Sequence, residues 1–206
     1  MPEPRAQRVP PLSPAIGGNG ACGRATKNTV LFYCYCLLIF TSAENQHNYF
    51  WRDYRGTIPS DALEVEGLYV AQIPYNGALP ATLYPEKKEA VSECEGHRVV
   101  VKEGIKLLCD AWNTSFSWEF VNVNKLTKQK LKDYVIGGTE DGSTLYIGKI
   151  FHEGEWKIGK VFPPSSRWKG LRVWYNNGDK YVTDDFQILK YTTQLAHIFS
   201  VRTFEK

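Results

Sequence analysis

Two acids and a lysine stand out among the residues that could do chemistry. Glu140 and Asp141 sit in the glycine-rich stretch VIGGTEDGSTLYIGK, and Lys160 follows Gly159 in EWKIGKVF. A carboxylate on a turn and an ammonium on a nearby strand, facing one cleft, suit a neutral polyol. The carboxylate accepts from vicinal hydroxyls while the ammonium donates to them. Trp156 or Trp174 could offer an apolar face to a sugar ring. The plainer alternative is a surface ion pair beside core tryptophans, since charges in turns are mostly just solvated.

Other chemistries find less support. A phosphate loop needs GxxxxGK followed by Ser or Thr between a strand and a helix, and KIGKVF has neither the spacing nor the helix. Metal sites need clustered His, Cys or carboxylate, whereas His47, His97, His152 and His197 are scattered singly. The serines lie in loop runs such as PPSSRW, with no nucleophile elbow. No glycine-rich strand-to-helix turn is present for a dinucleotide or methyl-donor cofactor. The expectation is therefore a binding protein rather than an enzyme, with no cofactor and no metal.

The first 43 residues differ from the rest. Residues 1–27 are rich in Pro, Gly, Ala and Arg and show no periodicity. Arg24 and Lys27 then precede the apolar run from Val30 to Phe40, and Thr41-Ser42-Ala43 follows it. That run is well short of the roughly 20 residues a membrane-spanning helix needs. A basic flank, a short apolar run and a small-residue exit read as a secretory signal. The protein is expected to be secreted after cleavage near Ala43, with no stable membrane insertion. Removing Arg5, Arg8, Arg24 and Lys27 against Glu3 cancels the whole chain's net charge of +3. A balanced remainder without a basic run argues against nucleic acid as a partner. Beyond the leader, Cys94 and Cys109 are a candidate disulfide, with two buried thiols as the equal alternative. Asn113-Thr114-Ser115 is a glycosylation sequon, which suits an exported surface.

The elements that must position these residues come in two copies. LYVAQIPYNGALPATLYP begins at Leu68 and LYIGKIFHEGEWKIGKVFP at Leu145, and the same interval separates Tyr69 from Tyr146 and Gly77 from Gly154. One inserted residue brings Pro85 opposite Pro163, and IKLLC at Ile105 answers FQILK at Phe186. Within each copy the pattern is that of strands, with tight turns at HEGE and Glu103-Gly104 and a hairpin signal at Asn177-Gly178. Only Asn124 to Tyr134, near the link between copies, reads as a short helix. The predicted fold is all-β and antiparallel, in two tandem repeats. The expected divisions are a leader and signal over 1–43, a first, degenerate repeat over 44–117, a second repeat over 118–191 and a tail over 192–206.

The second copy, VIGGTEDGSTLYIGKIFHEGEWKIGKVFP with the closing FQILKY, closely resembles the "DM nine" repeat. YFWRDYRGTIPSDAL, from Tyr49 to Leu63, resembles the usual opening of secreted insect members. The likeness spans about residues 49–191. It implies an all-β fold with two repeats related by pseudo-twofold symmetry. At least one member is a mannose-binding lectin in immune recognition, where a turn acid and the lysine of a Gly-Lys pair hold the sugar. Carried over, these are Glu140 or Asp141, and Lys160. In the first copy the turn is shortened to Glu66-Gly67, and Thr82 stands where Lys160 sits in the second. The resemblance thus implies a secreted lectin-like protein of innate defence, with mannose-type glycans as partners and a homodimer left open. The alternatives are a methyltransferase-type enzyme and a protein-binding scaffold that has lost sugar binding.

Overall fold

The computed structural model describes residues 49–111 and 115–192. Strands of the first half are β1 Tyr49–Asp53, β2 Glu64–Val65, β3 Leu68–Ile73, β4 Gly77–Tyr84, β5 Glu89–Cys94, β6 His97–Val101 and β7 Lys106–Asp110. Those of the second are β8 Phe116–Asn122, β9 Ile136–Glu140, β10 Ser143–His152, β11 Glu155–Phe162, β12 Gly170–Trp174, β13 Lys180–Thr183 and β14 Asp185–Tyr191. Every pairing among them is antiparallel. The all-β expectation from Val, Ile, Thr and aromatic content is met.

The pairing scheme repeats. In the first half β3 pairs β2, β4 and β7, β1 pairs β7, and β5 lies between β4 and β6. In the second half β10 pairs β9, β11 and β14, β8 pairs β14, and β12 lies between β11 and β13. Strands β4 and β9 join the halves through Gly77 opposite Glu140 and Ala78 opposite Thr139. One core cluster is shared between halves, placing Val70 and Leu108 against Ile147, Ile158 and Leu189.

Four hairpins turn on an acid-glycine pair in which both residues have positive φ: Glu66-Gly67, Glu95-Gly96, Asp141-Gly142 and Glu153-Gly154. Two such residues closing a two-residue loop match the right-handed strand twist. The paired glycines Gly137 and Gly138 do something else. A Cβ on Gly138 would lie 1.9 Å from the Ala78 carbonyl oxygen, so the close approach of β9 to β4 excludes any side chain there.

Three local expectations are corrected. The segment from Asn124 to Tyr134 is not a helix but two 3₁₀ turns, Val123–Lys125 and Lys130–Asp133. Only Leu126 among its residues 124–131 is buried, so it has no continuous apolar stripe to offset helix nucleation. Strands β6 and β7 form as expected around Glu103-Gly104, but they do not pair with each other. β6 pairs β5, while β7 joins β1 and β3. The Asn177-Gly178 hairpin forms with a longer loop: Trp174 is opposite Lys180, and Tyr175 N–H donates to the Asp179 carbonyl at 2.7 Å.

Candidate functional site: a buried acid–lysine cluster

The β9–β10 turn separates the two predicted acids. Glu140, the last residue of β9, turns inward and is 6% exposed, while Asp141 is exposed at the tip with φ 48. Lys160 is interior to β11, two strands away, and is only 1% exposed. Its ammonium meets both oxygens of Glu140, Oε1 at 2.7 Å and Oε2 at 2.6 Å. Of the two acids, it is Glu140 that the structure brings to Lys160.

A second acid arrives from the other half. Glu93, in β5, is completely buried, and its Oε2 lies 3.2 Å from Lys160 Nζ. Its Oε1 accepts from Gly96 N–H at 2.6 Å, which ties the carboxylate to the Glu95-Gly96 turn. Glu93 Oε2 has no hydrogen-bond donor. Two carboxylates thus share one ammonium, Glu140 by hydrogen bonds to both of its oxygens and Glu93 by an ion pair. Sequence reasoning missed Glu93. The one signal available was an acid within EAVSEC, a strand in which every residue from Ala90 to Cys94 is buried.

The cluster forms the floor of a pocket of about 280 Å³. Asp141 and Glu95 line it from the two acid-glycine turns, together with Phe162, Trp168 and Arg172. Acceptor oxygens on the floor suit donors such as hydroxyl groups. Lys160 lines the pocket as well, but its ammonium is already engaged by Glu140 and Glu93.

Cys94 adds a donor from below. Its thiol donates to Glu140 Oε1 at 3.2 Å. Burial, reinforced by the bond to Glu140, pushes the thiol up to about 11. A thiol so raised is protonated at neutral pH and is a poor nucleophile. Cys109 is likewise raised to about 11, chiefly by burial and then by Asp61. Of the two equal readings for the cysteines, the structure has the thiols: both are free and buried. Cys94 is held at Glu140, whereas Cys109 lies by Asp61 and Arg52. The sequon asparagine, Asn113, lies outside the described residues.

Trp156 is elsewhere. It shares a face of β11 with Lys160 but stands four residues back, roughly 13 Å along the strand, with buried Ile158 between. Lys149 is sandwiched there, its ammonium 4.6 Å from the Trp118 ring and 4.5 Å from the Trp156 ring. Burial pushes the Lys149 amine down from its usual range. Trp174 is also outside the pocket, in the core and 1% exposed. His152 packs on Tyr181, ring centroids 4.0 Å apart.

The corresponding place in the first half lacks the ions. Thr82 occupies the Lys160 position, Val65 the position of Glu140 before its turn, and Trp174 the position equivalent to Glu93; all three are buried. Thr82 Oγ1 accepts from Ile158 N–H at 2.7 Å and donates to the Ile158 carbonyl at 2.9 Å, so it joins the halves instead. Among the described residues no group of three or more His, Cys, Asp or Glu is arranged to hold a metal, and no helix is long and apolar enough to cross a membrane.

The DM9 repeat model matches residues 64–177, which include Glu93, Glu140 and Lys160. The chain belongs to the DM9 repeat family. No curated protein matches it. Among solved structures, this DM9 chain is similar to the nematode sperm cell motility protein MFP2B, with a TM-score of 0.45 and 10% identity. The match covers 71% of this chain and 45% of that one, so the chain spans less than half of that protein.

Proposed function

We propose that this DM9 protein binds carbohydrate through the pocket above the Glu93–Lys160–Glu140 cluster. The observation that carries the reading is the buried cluster itself. Burying three charges is expensive unless they are mutually paired, and here two acids meet one ammonium at the floor of an open pocket. A ring of hydroxyls supplies the donors that such a floor lacks. The acids accept, and Lys160 holds them together against their own repulsion.

The reading is of binding rather than catalysis, with mannose-type glycans as the ligands the family resemblance favours. It comes with a duplicated chain in which the equivalent place has Val65 and Thr82 of the first repeat and Trp174 of the second instead of the ions. It also comes with secretion, after cleavage near Ala43, and a role in innate defence. The experiment is a glycan-array screen of protein purified from a secreting host, recording which glycans are retained and whether the leader is cleaved. Selective retention of glycans supports the reading. A blank array with a well-folded β spectrum would sink it.

A further inference from the structure

Resting on that reading, we infer that the pocket's ligand is a hydroxylated ring bearing an anionic group, such as a uronate or a phosphorylated sugar. The cations of the pocket are not alike. Lys160 is spent on Glu140 and Glu93. Arg172 is its direct partner across β11 and β12, so both side chains leave the same face of the sheet. Yet Arg172 has no carboxylate within ion-pair distance among the described residues.

What holds Arg172 in place is aromatic. Its guanidinium lies 5.6 Å from the Phe162 ring and 4.9 Å from the Trp168 ring, and Nε donates to the Trp168 carbonyl at 3.4 Å. Arg167 stacks on Trp168 as well, at 4.5 Å. The terminal donors of Arg172 are thus positioned at the pocket but unmatched among the described residues. Lys180 is similar: its stem passes within 3.8 Å of where a Cβ on Gly96 would sit, and its ammonium has no ion-pair partner among the described residues.

A planar fork of N–H donors fits a carboxylate or phosphate in two parallel hydrogen bonds. One ring therefore satisfies both sides of the pocket. Its hydroxyls face Glu140 and Glu93, and its anion faces Arg172, with Lys180 in support. Asp141 and Glu95 occupy the turns and take remaining hydroxyls. A neutral hexose would leave the Arg172 side unmatched.

The test is calorimetric titration of the purified protein at low salt with D-mannose, D-glucuronate, D-mannose 6-phosphate and inorganic phosphate. The acidic sugars should bind about tenfold more tightly than mannose. Arg172→Gln should remove that advantage, with an unchanged β spectrum and melting temperature showing that the variant folds; Lys180→Gln should reduce it. Whichever acidic sugar binds better identifies the carboxylate or the phosphate as the anion read. Equal binding of mannose and both acidic sugars would overturn the inference while leaving the carbohydrate reading intact. So would an advantage that survives Arg172→Gln, or inorganic phosphate binding as tightly as mannose 6-phosphate. Failure of every sugar would overturn the carbohydrate reading itself, and this inference with it.

Discussion

Glu140 and Lys160, twenty positions apart in the chain, meet in a two-pronged ion pair at 2.6 and 2.7 Å with almost no exposure to solvent. Three adjacent strands create it. β9 delivers the acid at its last residue, β10 returns, and β11 carries the lysine on its buried face. A buried pair of this kind adds little to stability over an apolar replacement, because desolvation offsets attraction. Its presence beside a pocket is what the proposed carbohydrate reading accounts for. Glu93 sharpens the point, since a third charge raises the desolvation cost further.

Removing the lysine should therefore be a stability experiment before it is a binding one. Lys160→Ala would leave Glu93 and Glu140 buried against each other with no cation. Breaking such a cluster at one partner costs about 3–5 kcal/mol. Urea denaturation should show a loss in that range. A loss below about 1 kcal/mol would mean that water enters the cluster freely. Loss of sugar binding in this variant alone would therefore not identify Lys160 as a sugar contact.

Acid should weaken a second cluster on the far side of β11. Glu153 Oε2 accepts from buried Lys157 Nζ at 2.6 Å and from Asn176 N–H at 2.8 Å. The Lys157 bond, opposed by burial and aided by Asn176, holds the Glu153 carboxyl below its ordinary value of 4.5. A carboxyl lowered on folding adds stability that is fully present above its unfolded value and is lost as pH falls through the folded one. Glu153→Gln removes that contribution. The melting-temperature gap between parent and variant should be widest above about pH 5 and narrow as pH falls below the ordinary carboxyl range. A gap independent of pH would assign the loss to packing.

Much of this architecture is legible in the chain, and the illegible parts have specific causes. The acid-glycine turns announce themselves because a two-residue hairpin demands positive φ, which glycine supplies cheaply. Lys160 is legible through its Gly-Lys context, and its pairing with a turn acid is what the family resemblance implied; the register alone does not give it, since Lys160 is opposite Ile147 and Glu140 is opposite Ser143. Glu93 is not legible, because its partner is contributed by the other half, and no local pattern encodes a contact across so many residues. Trp156 misleads for the opposite reason. It is near Lys160 in sequence and on the same strand face, but four residues of extended strand carry it out of reach. The 124–134 segment reads as helical from its lysines and leucines, yet tertiary contacts at Leu126 and the Asn122 side chain, which accepts from Asn124 N–H at 3.0 Å, fix two short turns instead.

The cysteines offer a direct check on the interior. Both thiols are buried and raised to about 11, Cys94 mainly by burial and then by its bond to Glu140. In native protein at neutral pH, peptide mapping after treatment with a thiol reagent should find Cys94 and Cys109 unmodified. Denaturation should expose both to quantitative labelling. A Cys94–Cys109 cross-linked peptide under non-reducing conditions would show that the free pair is wrong.

Asp141 gives the cleanest separation of binding from folding. It sits exposed at the tip of the β9–β10 turn with φ 48, beside the pocket but outside the buried cluster. Asparagine tolerates that backbone as well as aspartate does, and Asn-Gly is among the best sequences for such a turn. Asp141→Asn should therefore leave the melting temperature nearly unchanged. The substitution replaces a charged acceptor with a neutral one, and hydrogen bonds to ionised groups are roughly twice as strong as neutral ones. If Asp141 receives a sugar hydroxyl, the affinity for glycan should fall by about tenfold. Glu95→Gln, at the facing turn, should produce a similar or smaller loss by the same reasoning. Unchanged affinity in both variants would confine recognition to the buried floor, leaving Glu140 and Glu93 as the only acids that could meet the ligand.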